Sequence, residues 1–352
     1  MPELPEVETV RRGLTNLIVG RRISGVTILK PKSFQIDPVV LSEEVVGARV
    51  TLIRRYAKLL SIDLSTDWSL AVHLKMTGQL VFRDDVDAAE NWGAGHPTAS
   101  FLAQLPDNST RVVFDLTGCE GAGLSSCAKS QDPGLVPGSV VSSSCAQSQD
   151  PGVVSDPDTP NLTPYHLFFN DQRIFGWVRA MPSTDVQQLD FVTKLGPEPL
   201  TPDGKRLTGA AATRAATDFL ARVRHHTSAV VKAAILDQTV IAGVGNIYAD
   251  EALWAARTHP SSRVKDLTDA RLKKIFVEAG EAMARSLESG GSTMRDYIQA
   301  DGTPGSYLDK FANVFRREGQ PCPRCGAPIE KIRVAGRGTH ICPRCQRVAK
   351  PR

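Results

Sequence analysis

The last part of the chain contains four cysteines whose spacing suits a metal ion. They form two Cys-x2-Cys pairs with sixteen residues between them, at Cys322, Cys325, Cys342 and Cys345. This spacing is typical of a four-thiolate zinc ribbon, in which each pair lies on a turn and a hairpin joins the turns. Because four protein thiolates leave no open coordination position, we predict one structural Zn²⁺ ion.

The segment between the cysteine pairs contains Arg337, which lies between Gly336 and Gly338. The surrounding tail, from Gln320 to Arg352, has eight positive side chains and one glutamate, which gives a net charge of +7. A compact basic segment of this kind suits phosphate binding. We therefore expect the hairpin to present Arg337 to a phosphate or to a reacting group.

A second candidate anion site is a glycine turn in the sequence "TVIAGVGNIYADEALW". The turn comes directly before a helix that we predict to begin near Asn246. Backbone N–H groups at such a helix start attract an anion, and the Asn246 side chain adds a donor. Together with the basic tail, this turn favours a nucleic acid as the partner.

Two kinds of structure must position these groups. In the 352-residue chain, apolar runs rich in β-branched residues predict strands up to about residue 181. Helical periodicity dominates after about residue 201. We therefore predict a two-domain α+β protein, with a β-rich domain over 1–181, a linker over 182–203, a helical domain over 204–310 and the zinc ribbon over 311–352.

The chain opens with a predicted helix from about Pro5 to about Val19. Proline and carboxylates suit the first turn of a helix, because proline loses no hydrogen bond there and anions suit the positive end of the dipole. The apolar stripe of this helix is Val7, Val10, Leu14 and Leu17. This ordinary helix start leaves Pro2 and Glu3 unexplained.

The sequence shows neither a targeting segment nor a membrane segment. No run approaches the roughly 18 apolar residues that a membrane helix needs. The start of the chain lacks the basic and then apolar pattern of a signal peptide. We therefore expect a cytoplasmic protein with no membrane partner.

Residues 117–160 differ in composition from the rest of the chain. Twenty of these forty-four residues are Gly, Pro or Ser and none is aromatic, so the segment has too little apolar surface to order itself. An internal duplication, "CAKSQDPGLV" and "CAQSQDPGVV", is too short for a solenoid. We predict a flexible insertion between two strands, with Cys119, Cys127 and Cys145 incidental.

Motifs along the whole chain, apart from the insertion, occur in the order found in one enzyme family. They are "MPELPEVETVRRGL", "HLKMTGQL", "FNDQRIFGW", "LGPEPL", "LDQTVIAGVGNIYADEALW", "DGTPGSY" and the ribbon "CPRCGAPI...GRGTHICPRCQ". The chain resembles the formamidopyrimidine-DNA glycosylases, bacterial base-excision enzymes for oxidised purines. The resemblance implies an N-terminal β-sandwich with flanking helices, and a C-terminal helix-two-turns-helix domain with the zinc ribbon. It also implies a monomer of the bacterial cytosol that binds double-stranded damaged DNA in the cleft between the domains.

The resemblance also implies catalytic roles for individual residues. Pro2, once the initiator methionine is removed, would be the nucleophile that attacks the anomeric carbon of the damaged nucleotide and forms an iminium link. Glu3 would transfer protons at the sugar and the leaving base, and Glu6 would support the site. Lys58 and Arg337 would grip phosphates beside the lesion and take part in the β- and δ-elimination steps that cut the strand.

Further positions match the DNA contacts of the family. The phosphate-binding group is His73, Lys232 and Asn246. The group that fills the gap left by the flipped nucleotide is Met76, Arg173 and Phe175. A loop that closes over the oxidised purine matches residues 290–307. Its base-recognition residues are Ser292, Thr293, Met294, Arg295 and Tyr297.

An N-terminal amine is a usable nucleophile without strong burial. An α-amino group titrates at about 8 and a lysine at about 10.4, so roughly a tenth of the former and well under a thousandth of the latter is neutral at pH 7. Proline is a secondary amine and gives a permanently charged iminium with the opened sugar, and this electron sink permits elimination. Glu3 lies beside the amine and qualifies as the acid/base partner that glycosidic cleavage needs.

Two other functions remain open on the sequence. An endonuclease VIII-like enzyme of the same fold would act on oxidised pyrimidines, although the N-terminal motif and the full loop around Ser292 favour the purine enzyme. A non-catalytic damaged-DNA-binding protein would keep only the scaffold. The presence of Pro2, Glu3 and Lys58 argues against that second alternative.

Overall fold

The computed structural model of the chain describes residues 2–85, 91–95, 104–118, 153–155, 165–289 and 312–351. Within these ranges the strands are β1 Ile23–Ile28, β2 Val50–Tyr56, β3 Leu59–Leu64, β4 Trp68–His73, β5 Gly78–Asp84, β6 Trp92–Gly95, β7 Thr110–Leu116, β8 Val153–Ser155, β9 Tyr165–Asp171, β10 Trp177–Pro182, β11 Glu330–Val334 and β12 Arg337–Ile341. The α-helices are α1 Leu4–Ile18, α2 Pro38–Val40, α3 Asp190–Thr193, α4 Gly209–Arg224, α5 Val231–Leu236, α6 Asn246–Ala255 and α7 Asp269–Glu288. None of these helices is long and apolar enough to cross a membrane.

The N-terminal domain is a β-sandwich. In the described part of the chain, one sheet has the strand order β6-β5-β9-β7-β1-β8 and the other has β10-β4-β3-β2, with antiparallel pairing throughout. Inward-facing side chains of both sheets share an apolar core, in which Phe34, Phe82 and Phe169 are almost fully buried. The predicted sandwich is therefore confirmed.

Helix α1 connects the sandwich to the second domain. The residues that pack in the sandwich core are Val7, Val10, Leu14 and Ile18. Leu4, one turn earlier, packs in the core of the helical domain. Ile18 takes the place predicted for Leu17, which is only partly buried. The first helix thus fixes the start of the chain between the two domains.

Helices α4 to α7 surround a second apolar core, which contains Phe219, Tyr248 and Phe276. Helix α7 begins after Thr268, whose hydroxyl accepts a hydrogen bond from Arg271 N at 3.1 Å. Helix α6 begins at Asn246, directly after the glycine turn. Because Ile247 to Trp254 of α6 are buried among neighbouring elements, packing holds the start of this helix in place.

The zinc ribbon is a hairpin of β11 and β12 with one cysteine pair at each side. Glu330 pairs with Ile341 and Val334 pairs with Arg337 across the hairpin. Cys322 and Cys342 are buried together with Trp254, which belongs to α6. The ribbon therefore packs directly on the helix that begins at Asn246.

Part of the segment 117–160 is described by the structure, and the flexibility of this insertion stays a prediction. Val153–Ser155 forms β8, which pairs with β1 at the edge of the larger sheet. The extended backbone of these residues gains ladder hydrogen bonds there, which composition alone does not reveal. The segment lies between β7 and β9, which pair with each other. Residues 119–152 and 156–160, including the three cysteines, lie outside the described residues.

Candidate active site

Glu3 is the residue around which the candidate active site is built. It lies at the N-cap position before α1 and is 2% exposed. Its carboxylate accepts hydrogen bonds from Gly245 N at 2.7 Å and Ile247 N at 2.9 Å, with a longer bond from Tyr248 N at 3.4 Å. These groups form the first turn of α6, whose positive end attracts a carboxylate. The anion at the glycine turn is therefore a side chain of this same chain.

Glycine is required at this turn for the close approach of the chain start. A Cβ atom at Gly245 would lie 2.4 Å from Glu3 Cδ. Gly243 has a φ of +85°, and a Cβ atom there would lie 2.5 Å from Leu4 Cδ1. Both glycines of the turn thus allow the residues before and at the start of α1 to dock on α6.

The protonation of Glu3 is shifted by its surroundings. Burial raises the pKa of Glu3, because the ionised carboxylate loses its hydration. The Lys58 ammonium opposes this rise and the Glu6 carboxylate adds to it, so that the pKa is raised to about 7. A carboxyl group with such a pKa can hold or release a proton at neutral pH. Glu3 therefore has the electrostatic setting of a general acid or base.

Glu6 ties the start of the chain to the helical domain. Its two carboxylate oxygens accept hydrogen bonds from Glu3 N at 2.7 Å and from the Tyr248 hydroxyl at 2.9 Å. The same hydroxyl lies 2.7 Å from Ser286 Oγ on α7. Pro2, which precedes Glu3, is buried. Glu6 thus fixes the start of the chain on the helical domain, an arrangement that suits its predicted supporting role.

Lys58 reaches the site from the sandwich. It follows Ala57, which has a φ of +51° in the tight turn between β2 and β3. Lys58 is 7% exposed, and its Nζ donates to Val244 O at 2.8 Å. Burial lowers the pKa of Lys58, two neighbouring carboxylates oppose that shift, and the Arg337 guanidinium adds to it. A lysine with a lowered pKa transfers a proton more readily near neutral pH.

A network of ion pairs holds the turn that carries Lys58. Glu198 accepts hydrogen bonds from Ala57 N at 2.7 Å and from Arg55 Nη1 at 2.8 Å. Arg55 Nε in turn donates to Glu8 Oε2 on α1 at 3.0 Å. Sequence reasoning missed this network, because its members are far apart along the chain. The one available signal was that Glu198 lies within the quoted motif "LGPEPL".

Arg337 is exposed at the start of β12, directly after a hairpin turn in which Ala335 and Gly336 have φ values of +49° and +74°. The Asn246 side chain donates from Nδ2 to Gly338 O at 3.0 Å, so the first residue of α6 holds this hairpin. Asn246 is half-buried, and its Oδ1 has no hydrogen-bond partner among the described residues. The hairpin thus presents Arg337 to solvent beside the first turn of α6.

Lys232 is not placed as expected for a phosphate contact. It is 0% exposed, and its Nζ lies 2.5 Å from Asp250 Oδ1 and 2.7 Å from Thr339 Oγ1. Asp250 Oδ2 accepts a hydrogen bond from His340 N at 2.9 Å. Burial lowers the pKa of Lys232, and the Asp250 carboxylate opposes that shift. Protein atoms satisfy this ammonium, and Lys232 lies behind the hairpin, where it fixes β12 on α6. Its expected phosphate contact stays a prediction.

His73 lies at the end of β4 with a neutral ring. Burial lowers the pKa of His73 to about 3, and the Lys75 and Lys58 ammonium groups contribute. Its Nδ1 accepts a hydrogen bond from Lys75 N at 3.1 Å, so the single proton of the neutral ring is on Nε2. The ring can therefore donate one hydrogen bond without changing its charge near neutral pH.

The turn between β9 and β10 exposes Arg173, Ile174 and Phe175. Ile174 and Phe175 are 43% and 56% exposed. Ile174 has a φ of +57°, which is rare for a β-branched residue and costs roughly 1–3 kcal/mol. The turn thus presents two apolar side chains to solvent, the kind of side chain that some DNA-binding proteins insert between bases.

Asp171 holds this turn in place. It is 0% exposed, and its carboxylate accepts hydrogen bonds from Gly176 N at 2.6 Å and Arg173 N at 3.2 Å. The Thr77 hydroxyl donates to the same carboxylate and accepts from Arg173 N at 3.1 Å. Thr77 follows Met76, which is half-buried. One carboxylate thus joins the two turns that carry the expected gap-filling residues, and sequence reasoning missed it.

The expected base-recognition residues, Ser292, Thr293, Met294, Arg295 and Tyr297, lie outside the described residues. Helix α7, which leads into this segment, ends at Glu288. After the segment, Glu251 on α6 accepts hydrogen bonds from Asn313 N at 2.9 Å and Val314 N at 2.9 Å. The chain on both sides of the segment is therefore anchored to the helical domain.

The four cysteines lie together near the last turn of α6. Their Sγ atoms all lie within 4.8 Å of one another, and those of Cys325 and Cys342 are 3.4 Å apart. A tetrahedral zinc site with Zn–S bonds of about 2.3 Å needs S···S separations of roughly 3.8 Å. The donor set and its spacing fit Zn²⁺, and the predicted structural zinc site is confirmed.

Three family profiles match the chain in order. The one described as "Formamidopyrimidine-DNA glycosylase N-terminal domain" matches residues 1–121. "Formamidopyrimidine-DNA glycosylase H2TH domain" matches residues 195–298, and "Zinc finger found in FPG and IleRS" matches residues 319–348. The three matches fall on the sandwich, the helical domain and the ribbon.

Relatives match over the full length of the chain. A formamidopyrimidine-DNA glycosylase from Pelotomaculum thermopropionicum is 33% identical over 350 residues, which cover 99% of this chain and 100% of the relative. One from Chloroflexus aurantiacus is 34% identical over 347 residues, 98% of each chain.

Solved structures agree with these matches. Lactococcus lactis Fpg in a complex with DNA that contains an abasic site has a TM-score of 0.70 and 27% identity, with coverage of 98% of this chain and 99% of that chain. MutM (FPG) from Thermus thermophilus has a TM-score of 0.67 and 31% identity, with coverage of 98% of each chain.

Proposed function

The chain belongs to the formamidopyrimidine-DNA glycosylase family, and from this premise we propose that it excises oxidised purines and then cuts the DNA strand. Membership of the family makes it a DNA glycosylase of DNA repair. The proposed lesions are 8-oxoguanine and formamidopyrimidines in double-stranded DNA. One observation carries the proposal: the Glu3 carboxyl, with its pKa raised to about 7, is buried directly after Pro2 on the first turn of α6.

In the proposed first step, the Pro2 amine attacks C1′ of the damaged nucleotide after the initiator methionine has been removed. The bond between C1′ and the base nitrogen breaks, and the base leaves with a proton from an acid, the role proposed for Glu3. The sugar ring then opens at O4′, which takes up a proton, while the amine loses one. The product is a positively charged iminium between Pro2 N and C1′.

The iminium draws electron density from C2′ of the sugar. In β-elimination a proton passes from C2′ to water, the C3′–O bond breaks and the 3′-phosphate leaves. In the second elimination a proton passes from C4′ to water, the C5′–O bond breaks and the 5′-phosphate leaves. We propose that Lys58 and Arg337 bind these phosphates as negative charge develops on them. Hydrolysis of the remaining iminium by water frees the Pro2 amine for another turnover.

We propose that the protein acts as a monomer on double-stranded DNA in the bacterial cytoplasm. The solved relatives from Lactococcus lactis include complexes with an abasic site and with a Fapy-dG lesion. The side chains proposed to contact phosphates are His73, Asn246 and Arg337. Those proposed to fill the gap in the duplex are Met76, Arg173 and Phe175.

An excision assay on matched duplexes tests the substrate class. Duplexes that carry 8-oxoguanine opposite cytosine are compared with duplexes that carry thymine glycol or dihydrouracil. We expect faster excision of the purine lesion. Faster excision of the pyrimidines would favour the endonuclease VIII-like alternative instead. The pyrimidine arm is needed because a Lactococcus lactis Fpg at 26% identity was solved with an oxidised pyrimidine in its DNA.

Borohydride trapping tests the covalent mechanism. Reduction of the iminium turns it into a stable amine that links the protein to DNA, and peptide mapping then locates the link. We expect the adduct at Pro2. A native protein that excises the base but gives no adduct would contradict the proposed nucleophile, and one that neither excises nor traps would support a binding protein without catalysis.

A further inference from the structure

Helix α6 ends beside the zinc cluster. Trp254, in its last turn, donates a hydrogen bond from Nε1 to Cys322 Sγ at 3.4 Å. Trp254 is 8% exposed and Cys322 is 2% exposed, so little water can compete for this bond. The donor, Trp254, belongs to the helical domain, whereas the acceptor, Cys322, is one of the zinc-binding cysteines of the ribbon.

Arg324 fixes the orientation of the indole ring. This residue lies between Cys322 and Cys325 in the first cysteine pair. Its guanidinium lies 4.0 Å from the ring centroid of Trp254, and its Nη1 donates to Trp254 O at 3.0 Å. A cation over the ring face and a bond to the backbone together hold the ring against the turn. The direction of the indole N–H is therefore set by the same turn that supplies two zinc ligands.

A zinc-bound thiolate in a buried site needs stabilisation of its charge. Four thiolates around one Zn²⁺ carry an excess of negative charge, and buried charge without a partner is unfavourable. On the second cysteine pair, Cys345 N donates to Cys342 Sγ at 3.4 Å. Trp254 supplies a bond of the same kind to the first pair, from a side chain outside the ribbon.

We propose that Trp254 is a positioning residue of the zinc site, whose indole N–H stabilises the metal-bound Cys322 thiolate and fixes the ribbon on α6. Hydrogen-bond partners of metal ligands change metal affinity by about 10- to 100-fold. The proposal concerns metal affinity, so its test is independent of which DNA lesion the protein excises.

The substitution Trp254→Phe keeps an aromatic ring beneath Arg324 but removes the donor. We expect the zinc dissociation constant of the full-length protein to rise about tenfold, measured by competition with a chromogenic chelator. Trp68→Phe is the matched control, because Trp68 lies on β4 in the sandwich and its loss should leave zinc affinity unchanged. Equal zinc affinity in Trp254→Phe and wild type would overturn the proposal.

Two spectroscopic measurements separate the hydrogen bond from simple packing. In the Co²⁺-substituted protein, loss of the N–H···S bond raises the energy of the sulfur electrons. The sulfur-to-cobalt band of Trp254→Phe should therefore move to longer wavelength, and an unmoved band would contradict the proposal. In unmodified protein loaded with NMR-active cadmium, we expect scalar coupling between the metal and the Trp254 indole proton. Absence of that coupling would overturn the proposal even if the variant failed to fold.

Discussion

Lys58 and Glu3 form hydrogen bonds with the C=O and the N–H of the same peptide group, between Val244 and Gly245. Lys58 Nζ donates to Val244 O at 2.8 Å, and the N–H of the same group, on Gly245, donates to the Glu3 carboxylate at 2.7 Å. Because the peptide group is planar and rigid, it fixes the positions of ammonium and carboxylate relative to each other. The two groups are thus held near each other through the backbone.

The substitution Glu3→Gln should separate base removal from strand cleavage. It removes the proposed proton donor while the Pro2 amine remains, so we expect excision of 8-oxoguanine to slow by about 10²- to 10⁴-fold. Cleavage at a preformed abasic site needs no protonation of a leaving base, so its rate should fall much less than the excision rate. Single-turnover assays on the two duplexes measure both rates. Equal losses on both substrates would contradict the proposed role of Glu3.

The pH dependence of the same two rates reports on Glu3. Its pKa is raised to about 7, so the proton-bearing form is present below that pH and is lost above it. The ratio of the excision rate to the abasic-cleavage rate should therefore fall about tenfold per pH unit above roughly pH 7. Taking the ratio cancels the titration of the Pro2 amine, which both reactions share. A ratio that stays constant from about pH 6 to pH 9 would rule out this proton transfer.

The DNA affinity should not depend on the protonation of His73 near neutral pH. The pKa of His73 is lowered to about 3 by burial and by two lysines, so the ring is already neutral. We expect the affinity of wild type for an abasic-analogue duplex to show no change attributable to His73 between about pH 5 and pH 8. Comparison with His73→Gln, in fluorescence anisotropy titrations, tests this. A difference between the two pH profiles would show that the ring titrates in the complex.

The substitution Lys232→Met should destabilise the fold without changing the salt dependence of DNA binding. It removes the ammonium partner of the buried Asp250 carboxylate, which keeps only its contacts with His340. Loss of one partner of a buried ion pair typically costs about 3–5 kcal/mol of unfolding free energy. The double variant Lys232→Met/Asp250→Leu should recover most of that loss. Denaturant titrations measure both values.

Salt titrations of DNA affinity complete this test. Arg337→Gln, which removes a proposed phosphate contact, should reduce the slope of log affinity against log salt by about 1. The Lys232→Met/Asp250→Leu variant should keep the wild-type slope. A reduced slope in that variant would restore Lys232 as a phosphate contact.

The substitution Asp171→Ala should disorganise the turn that carries Arg173 and Phe175. It removes the acceptor of two backbone N–H groups, and each unmet buried bond costs about 1–3 kcal/mol. We expect affinity for a duplex with an abasic analogue to fall by at least about tenfold, with a smaller loss for undamaged DNA. Gln172→Ala, an exposed neighbour in the same turn, is the control. Wild-type affinity in Asp171→Ala would show that the turn forms without this carboxylate.

Deletion of residues 117–160 should leave excision largely intact. Between Asp115 and Pro160 the chain has six acidic residues and one lysine, and a net negative segment repels phosphate. The deletion removes β8, so a shorter deletion of 119–152 serves as a control that keeps this edge strand. Single-turnover excision is measured on both. A large loss in a folded 119–152 deletion would assign the insertion a part in catalysis.

The sequence predicted those structural features that depend on residues close together along the chain. The two Cys-x2-Cys pairs predicted the zinc site, because thiolates two residues apart can bind one ion from a single turn. The glycine turn predicted the start of α6, because turns and helix starts depend on neighbouring residues. The motif resemblance located Pro2, Glu3 and the other candidate site residues along the chain, although their roles remain proposals.

Contacts between distant segments could not be predicted in this way. Glu198 and Ala57 are 141 residues apart, and Lys232 and Thr339 are 107 residues apart. The number of residues between the members of each pair does not indicate a contact, because only tertiary packing brings the two residues together. The glycine turn had the chemistry of an anion site, but only the fold shows that Glu3 occupies it.

The distance along the chain between Glu3 and its partners has a consequence during protein synthesis. The carboxylate is made third, whereas Gly245 and Ile247, which bind it, are made 242 and 244 residues later. At roughly 5–20 residues per second, the ribosome therefore adds Glu3 about 12–50 s before it adds the first turn of α6. A truncated product that ends before Gly245 has Pro2 and Glu3 but lacks the first turn of α6, on which Glu3 docks. Prematurely terminated chains should thus be unable to assemble this site and nick DNA.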